Sequence, residues 1–507
     1  MSGEVKEMIK NMNPQVLAIY LPQFHRVPEN DEWWGEGFTE WTAVRGAEPL
    51  FAGHDQPRVP LNKNYYDLLE HDTMVWQAEL MKKYHVDGMC IYHYWFEDGR
   101  KILEKPAENL LQWTDIQMPF CFYWANQTWS RTWKKLRDSC TWSGVYEGKK
   151  KENETGILLK QSYGREKDWE EHFLYLLPFF KDERYIKVDN KPVFVIYRPD
   201  DIFSLWDMAD YFNRRARQSG FDGIYFIGSC WDMQPGLDAI FEKQPDWKSD
   251  SYDEMWEMTL SNKQEKGCKT YFCGGVDFDN SPRMGKKSFI MKGAMPQKFN
   301  QYFKRLYLKS RFLGNEFIFV NAWNEWGEGM YLEPDETWGF GYLEAIKSVV
   351  EECREINPKT KNAEESFVVN YKTREELLFR KKIRNANRYG ALLHNWLCLR
   401  EHEVDFSQYF KKYGYHSIAI YGMGKLGTHL LYELKGSDVT VKCGIDKNGE
   451  QIDCDVAVYH PNHRIPEVDA VIITITDMYP EISGILRQQM NCPMVTIEEI
   501  IQELMFF

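Results

Sequence analysis

Residues 316–329 read EFIFVNAWNEWGEG. Phe317, Ile318, Phe319 and Val320 make a continuous apolar run, the pattern of a strand covered on both faces in a parallel sheet. The run ends in a polar, Trp- and Gly-rich segment carrying two carboxylates three residues apart, Glu325 and Glu328. A barrel of eight β/α units builds its active site from polar groups at the C-terminal ends of its strands. This stretch has that form.

Seven more runs of the same kind precede it, at 16–23, 88–95, 119–126, 191–198, 223–229, 239–243 and 270–279. Helical patterns at 72–84, 200–219 and 297–309 fall between them. The reading is an α/β chain with a (β/α)8 TIM barrel over 1–355. A doubly wound sheet is the rival, but eight ordered repeats with polar and aromatic strand ends favour the barrel. Residues 357–365 are polar and read as a linker; 373–402 reads as a connecting helical segment, with Leu377, Leu378, Ile383, Leu392, Leu393, Trp396 and Leu397 recurring. Together 356–412 join the barrel to a small Rossmann-like domain over 413–507. That domain has strands expected at 417–421, 439–446 and 470–476.

Length and composition agree with two domains. A single core rarely grows to 507 residues. A hydrophobic share of 43% supports packed cores, and a net charge of −13 argues against nucleic acid as the main partner. Aromatics reach 15%, with 19 Trp and 29 Tyr, side chains with an apolar face and a polar edge that suit sugar rings. No apolar run is long enough for a membrane span and the N-terminus has no leader-like segment, so a cytoplasmic chain is expected. The 11 Cys are scattered without a CxxC pair, which predicts neither a zinc site nor a disulfide framework. No metal is expected.

The strand ends concentrate sugar-binding chemistry. The first offers Tyr20 and His25, the second Tyr92, His93 and Trp95, and the third Trp124, Asn126 and Trp129. The seventh offers Asp279 and Arg283; the eighth offers Trp323 and Asn324 beside the glutamates. Glycosidic cleavage needs one carboxyl group to protonate the leaving oxygen and a second across the bond. Burial near Trp can raise one pKa while its neighbour stays ionised. Glu325 and Glu328 are therefore the expected catalytic pair. The plain alternative is a pair capping a helix that starts near Asp335.

IYLPQFH…ENDEWWGEGFTEW near the N-terminus, IYHYW, FYWANQTW, DFDNSPR and NAWNEWGEG together resemble the WbsX-like family, related to glycoside hydrolase family 99. The resemblance runs from about residue 16 to 350. It implies a barrel, a glycan substrate and retention through a 1,2-anhydro sugar. Glu325 would take the 2-OH proton, and Glu328 would act at the leaving oxygen. Asp277 and Asp279 have the spacing of a DxD metal motif but stand inside the DFDNSPR match, and are read as cleft structure.

Gly422, Gly424 and Gly427 follow a strand and open a helix, and Asp446 ends the next strand. That is the context of a dinucleotide fingerprint, so a nucleotide or sugar nucleotide at this turn is one reading, although the barrel chemistry needs no cofactor. The alternative is a degenerate module used for packing. Three functions compete: a retaining, endo-acting hydrolase of α-mannoside-like glycans; a glycosyltransferase or transglycosylase in surface-polysaccharide assembly; and a non-catalytic glycan-binding protein. In each, the partner is an oligosaccharide or polysaccharide.

Overall fold

The structure is a computed structural model that describes residues 13–130, 157–242, 249–356, 369–449, 454–475 and 478–505. The 357–365 linker lies outside the described residues. The chain divides into two compact units, Met1–Asp200 with Met208–Lys372, and Asp201–Asp207 with Thr373–Phe507.

The first unit is a closed barrel of eight parallel strands. They are β1 (Gln15–Tyr20), β2 (Gly88–His93), β3 (Phe120–Trp124), β4 (Lys191–Ile196), β5 (Tyr225–Gly228), β6 (Ala239–Glu242), β7 (Thr270–Gly275) and β8 (Phe317–Asn321). Each pairs with its sequence neighbours, and β1 pairs with β8 to close the ring. All eight expected runs therefore form strands. Nearly every residue in them is buried, because side chains alternate between the barrel interior and the helix layer and both are dry.

Contacts tell the two faces apart. Inside, Tyr123 of β3 meets Phe241 of β6, which lies 4.5 Å from Phe319 of β8. Outside, Phe122 packs at 4.9 Å on Phe179 of the helix α2 (Glu166–Lys181). Helices α1 (His71–Tyr84), α3 (Leu205–Gln218) and α4 (Pro296–Phe312) occupy the three helical stretches read from sequence. Helix α4 starts on Pro296, which has no N–H to lose in the first turn, and ends with Lys309 and Arg311 near its carbonyl terminus. It packs on α5 (Gly341–Glu355).

In the second unit a five-stranded parallel sheet comprises β9 (Ser417–Tyr421), β10 (Thr440–Ile445), β11 (Val458–Tyr459), β12 (Ala470–Ile473) and β13 (Met494–Thr496). Its order is β11-β10-β9-β12-β13. Ile418 and Ile420 enter one core with Leu430 and Ile501; Ala419 and Tyr421 enter another with Ile482 and Leu486. The sheet is thus covered on both faces.

The helical segment expected at 373–402 forms helix α6 (Arg374–Glu401). The whole helix falls in this unit, and Leu392, Trp396 and Leu399 of its second half enter the first of those cores. Leu378, Ile383 and Leu397, three of the recurring positions, are exposed. Their spacing follows a helical period, but no neighbour covers that face within the unit. Among the described residues no helix is long and apolar enough to cross a membrane.

Candidate active site

Beyond β8 the chain makes a short hairpin. Asn324–Glu325 pairs antiparallel with Met330–Tyr331, and Trp326–Glu328 forms the turn between them. Trp326 stacks on Tyr331 at 3.7 Å, which stiffens the loop. Gly329 takes a left-handed conformation, φ 66°, that glycine adopts freely. The Glu328 carbonyl accepts from the Asp279 N–H at 2.7 Å, and the Gly329 carbonyl accepts from Arg58. The hairpin is thereby tied to the segment after β7.

The two glutamates meet one guanidinium. Arg283 donates from Nη1 to Glu328 Oε1 at 2.7 Å and from Nη2 to Glu325 Oε2 at 2.9 Å. The same group donates from Nε and Nη2 to Glu40 Oε1, at 3.0 and 2.7 Å. Three carboxyl groups thus share one fixed cation. Gly327 makes this possible, since a β-carbon there would overlap Glu40 Oε1 and approach Arg283 Nε to 2.7 Å.

Their environments differ. The Glu325 side chain is 7% exposed and that of Glu328 is 30% exposed. Burial pushes the Glu325 carboxyl up to about 8, with Arg283 opposing and Glu328 and Glu40 adding to the rise. Burial also raises Glu40, again against Arg283. The single cation is shared among three carboxyl groups and does not offset the burial of Glu325 and Glu40. Tyr92, half-buried and facing the barrel interior beside Tyr123, has its phenol raised by burial and by the Glu325 charge.

Sequence reasoning missed two acids. Glu40 stands in the quoted TEW triplet, 243 positions from its partner Arg283. Glu333 is 3% exposed and accepts four hydrogen bonds, from Trp323, Trp326, Tyr66 and Gln77 at 2.7–2.8 Å. Burial pushes it up to about 7, and its four donors hold it from rising further. Nothing local marks Glu333; its two indole donors on the hairpin are the signal.

Several of the expected sugar contacts are bonded within the protein. Asn324 is fully buried and holds Leu21 through both its backbone N–H and its carbonyl, at 2.7 and 3.0 Å, a surrogate strand pairing between the ends of β1 and β8. Trp323 is fully buried and donates to Glu333. Tyr20 is buried and donates to Gln77. Asp279 accepts from Gln56 and His54, and Asp277 accepts from Arg58, so each acid of the DxD-like pair meets protein donors. His25 is buried, and burial lowers its imidazole to about 4, which keeps it neutral at physiological pH.

Others are not brought to the glutamates. His93 points to the helix layer, 2.9 Å from His172 of α2, where Trp95 stacks at 4.5 Å and Trp124 packs edge-on. The alternation explains this: Tyr92 and Tyr123 face in, so His93 and Trp124 face out. Asn126 links the ends of β3 and β4 through the Arg198 N–H and carbonyl. Trp129 packs with Trp33 and Tyr94 in a separate cluster. Among the described residues no group of three or more His, Cys, Asp or Glu is placed to hold a metal ion.

In the second unit, Gly422 and Gly424 lie in the turn from β9 into α7 (Lys425–Glu433), Gly427 stands in the first turn of that helix, and Asp446 follows β10. All four are brought to the C-terminal edge of the sheet.

A family model described as Glycosyltransferase WbsX matches residues 16–250 and 239–346. Uncharacterized proteins WxcX of Xanthomonas campestris pv. campestris, from strains B100 and ATCC 33913, are each 30% identical over 369 residues. The match takes in 67% of this chain and 50% of theirs, so the chain spans about half the length of these relatives. Among solved structures, the GH99 endo-alpha-mannosidase from Bacteroides thetaiotaomicron aligns with a TM-score of 0.43 at 13% identity, over 67% of this chain and 98% of that one. A glycoside hydrolase-like protein aligns with a TM-score of 0.42 at 11% identity, over 67% and 94%.

Proposed function

The chain belongs to the Glycosyltransferase WbsX family, and from that premise we propose that it is a carbohydrate-active enzyme that cleaves α-mannoside-like bonds inside a glycan with retention. Glu325 and Glu328 carry the chemistry. The observation behind this reading is the Arg283 fork, which holds a buried and a part-exposed carboxylate side by side at the mouth of a barrel.

In the first step Glu325 takes the proton of the sugar 2-OH. O2 attacks C1 as the C1–O bond to the leaving sugar breaks, and Glu328 protonates the departing oxygen. A 1,2-anhydro sugar results. In the second step Glu328, now ionised, takes a proton from water as its oxygen attacks C1. The C1–O2 bond opens and O2 recovers the proton from Glu325. Two inversions at C1 give net retention. An axial 2-OH lies anti to an axial leaving group, which is why an α-mannoside suits this route. Tyr92 is the aromatic residue best placed to meet the sugar, since its half-buried ring faces the same side as Glu325.

A second reading has the family description in its favour: a sugar hydroxyl replaces water in the second step, and the protein transfers the glycosyl unit during surface-polysaccharide assembly. Incubation with defined oligosaccharides, with and without sugar nucleotides, followed by NMR of the products, tests both. Release of a retained hemiacetal without a nucleotide supports the hydrolase. Elongation of an acceptor glycan, whether the donor is another oligosaccharide or a sugar nucleotide, supports the transfer reading. No product under either condition overturns both.

A further inference from the structure

The second unit carries a cleft of about 410 Å³ of its own, at the C-terminal ends of β9, β10 and β12. Tyr421, Gly422, Asp446, Lys447, Thr474 and Ile475 line it. The sheet order β11-β10-β9-β12-β13 reverses direction at β9, and ligands of open parallel sheets bind outside the strand ends at that switch point. We propose that this cleft binds a nucleoside diphosphate, free or as the head of a sugar nucleotide, and not a dinucleotide.

The three glycines do three different jobs. Gly422 has φ 90°, and a β-carbon on it would come within 2.8 Å of both Ile475 and Thr474, so the turn needs glycine. A β-carbon on Gly427 would overlap the Gly422 carbonyl, so the helix lies directly against the strand. Gly424 needs no such relief. Its φ of −71° is open to any residue, and a β-carbon there would meet nothing within 4 Å. Glycine at that place leaves open space over the backbone inside the cleft, where a phosphate can approach.

The charges fit a diphosphate. Lys425 and Lys447 both line the cleft, and neither has an ion-pair partner among the described residues. Asp446 is pre-set for a ribose. Its Oδ2 accepts from the Met423 N–H and its Oδ1 from the Asn448 N–H, each at 2.9 Å. A carboxylate has about four acceptor sites, so two remain for hydroxyl groups. Leu426, Ile475, Met478 and Ile482 supply an apolar wall for a base.

Size and topology favour the smaller ligand. The volume is near the small end of the roughly 300–1,000 Å³ range of ligand sites. Dinucleotides lie across two mononucleotide-binding halves, of three strands each, whereas this sheet has one full half and two further strands.

Calorimetric titration of the full chain with UDP, GDP, ADP, the corresponding hexose-bearing sugar nucleotides, NAD and inorganic phosphate tests the assignment. At least one nucleoside diphosphate is expected to bind at least tenfold tighter than phosphate and than NAD. Gly424→Val, and Lys425→Ala with Lys447→Ala, are each expected to weaken it tenfold or more without lowering the melting temperature. Equal affinity for the free and hexose-bearing forms assigns the head group alone; a tenfold gain with the hexose assigns the sugar nucleotide; both uphold the proposal. It is overturned if no nucleoside diphosphate binds, if phosphate binds equally well, if NAD binds more tightly, or if the lysine double variant binds unchanged. None of these outcomes depends on what the barrel catalyses.

Discussion

Gly327 and Glu40 compete for one space: the position of a β-carbon on Gly327 is already taken by the Glu40 carboxylate. The turn that carries Glu328 can therefore close over the Arg283 cluster only while residue 327 has no side chain. Gly327→Ala is expected to cost about 1–3 kcal/mol of stability, as overpacking does, and to abolish turnover by pushing Glu40 and Arg283 apart. Urea denaturation and a glycan assay measure the two effects, and wild-type turnover in the variant would show that the packing is not needed.

Glu325→Gln and Glu328→Gln each keep size and shape while removing an acid or base. Each is expected to slow turnover by about 10²–10⁴-fold, with glycan binding retained in titrations. Unchanged rates in both would move the chemistry elsewhere.

The raised Glu325 carboxyl gives the rate a pH signature. A base must be unprotonated, so titration of Glu325 is expected to give the rate a limb that rises toward about 8, and the need for a protonated acid gives the profile a falling limb as well. A rate that instead falls through the same range would make Glu325 the acid and exchange the two roles. Lys in place of Arg283 supplies a point charge without the fork. Arg283→Lys should stabilise the Glu325 carboxylate less and shift the rising limb to higher pH.

Stability should move the opposite way. Between the ordinary glutamate value of 4.5 and about 8, folded Glu325 keeps a proton that the unfolded chain has lost. Glu333 does the same between 4.5 and about 7. The folded state binds the extra protons, so stability falls as pH rises through this window. Urea midpoints at pH 5 and pH 8.5 check the sign, and Glu325→Gln should flatten the slope without removing it.

Glu333→Ala would strand four buried donors. An unmet buried donor costs about 1–3 kcal/mol, so the variant should unfold many degrees earlier. The fluorescence of Trp323 and Trp326, both bonded to Glu333, should shift before global melting. A melting curve like that of the parent would rule out this bracing role.

The barrel was legible because its strands are apolar on both faces, so all eight stood out as short runs. The same property hid which residues point inward. Tyr92 and His93 are neighbours in IYHYW, yet one faces Glu325 and the other His172. With both faces apolar, no polar alternation marks the inside. Arg283 and the glutamate pair were readable as motifs at strand ends. Glu40 and Glu333 were not, because they acquire partners only through folding. The helix over 374–401 was legible as a helix, but its attachment to the second unit rests on a few side chains near its end.

Asn324 reaches across 303 positions to hold Leu21. On the ribosome, β1 emerges well before its last neighbour, which appears only after some three hundred further residues are made. Until then β1 has one open edge, and the seam cannot be fastened. The residues that fasten it directly precede Glu325, so the candidate glutamates and their framework are completed in the same event. A nascent or truncated chain that stops short of β8 would be open-seamed and would lack both glutamates, and a protein that has the pair in place has already passed its own test of closure.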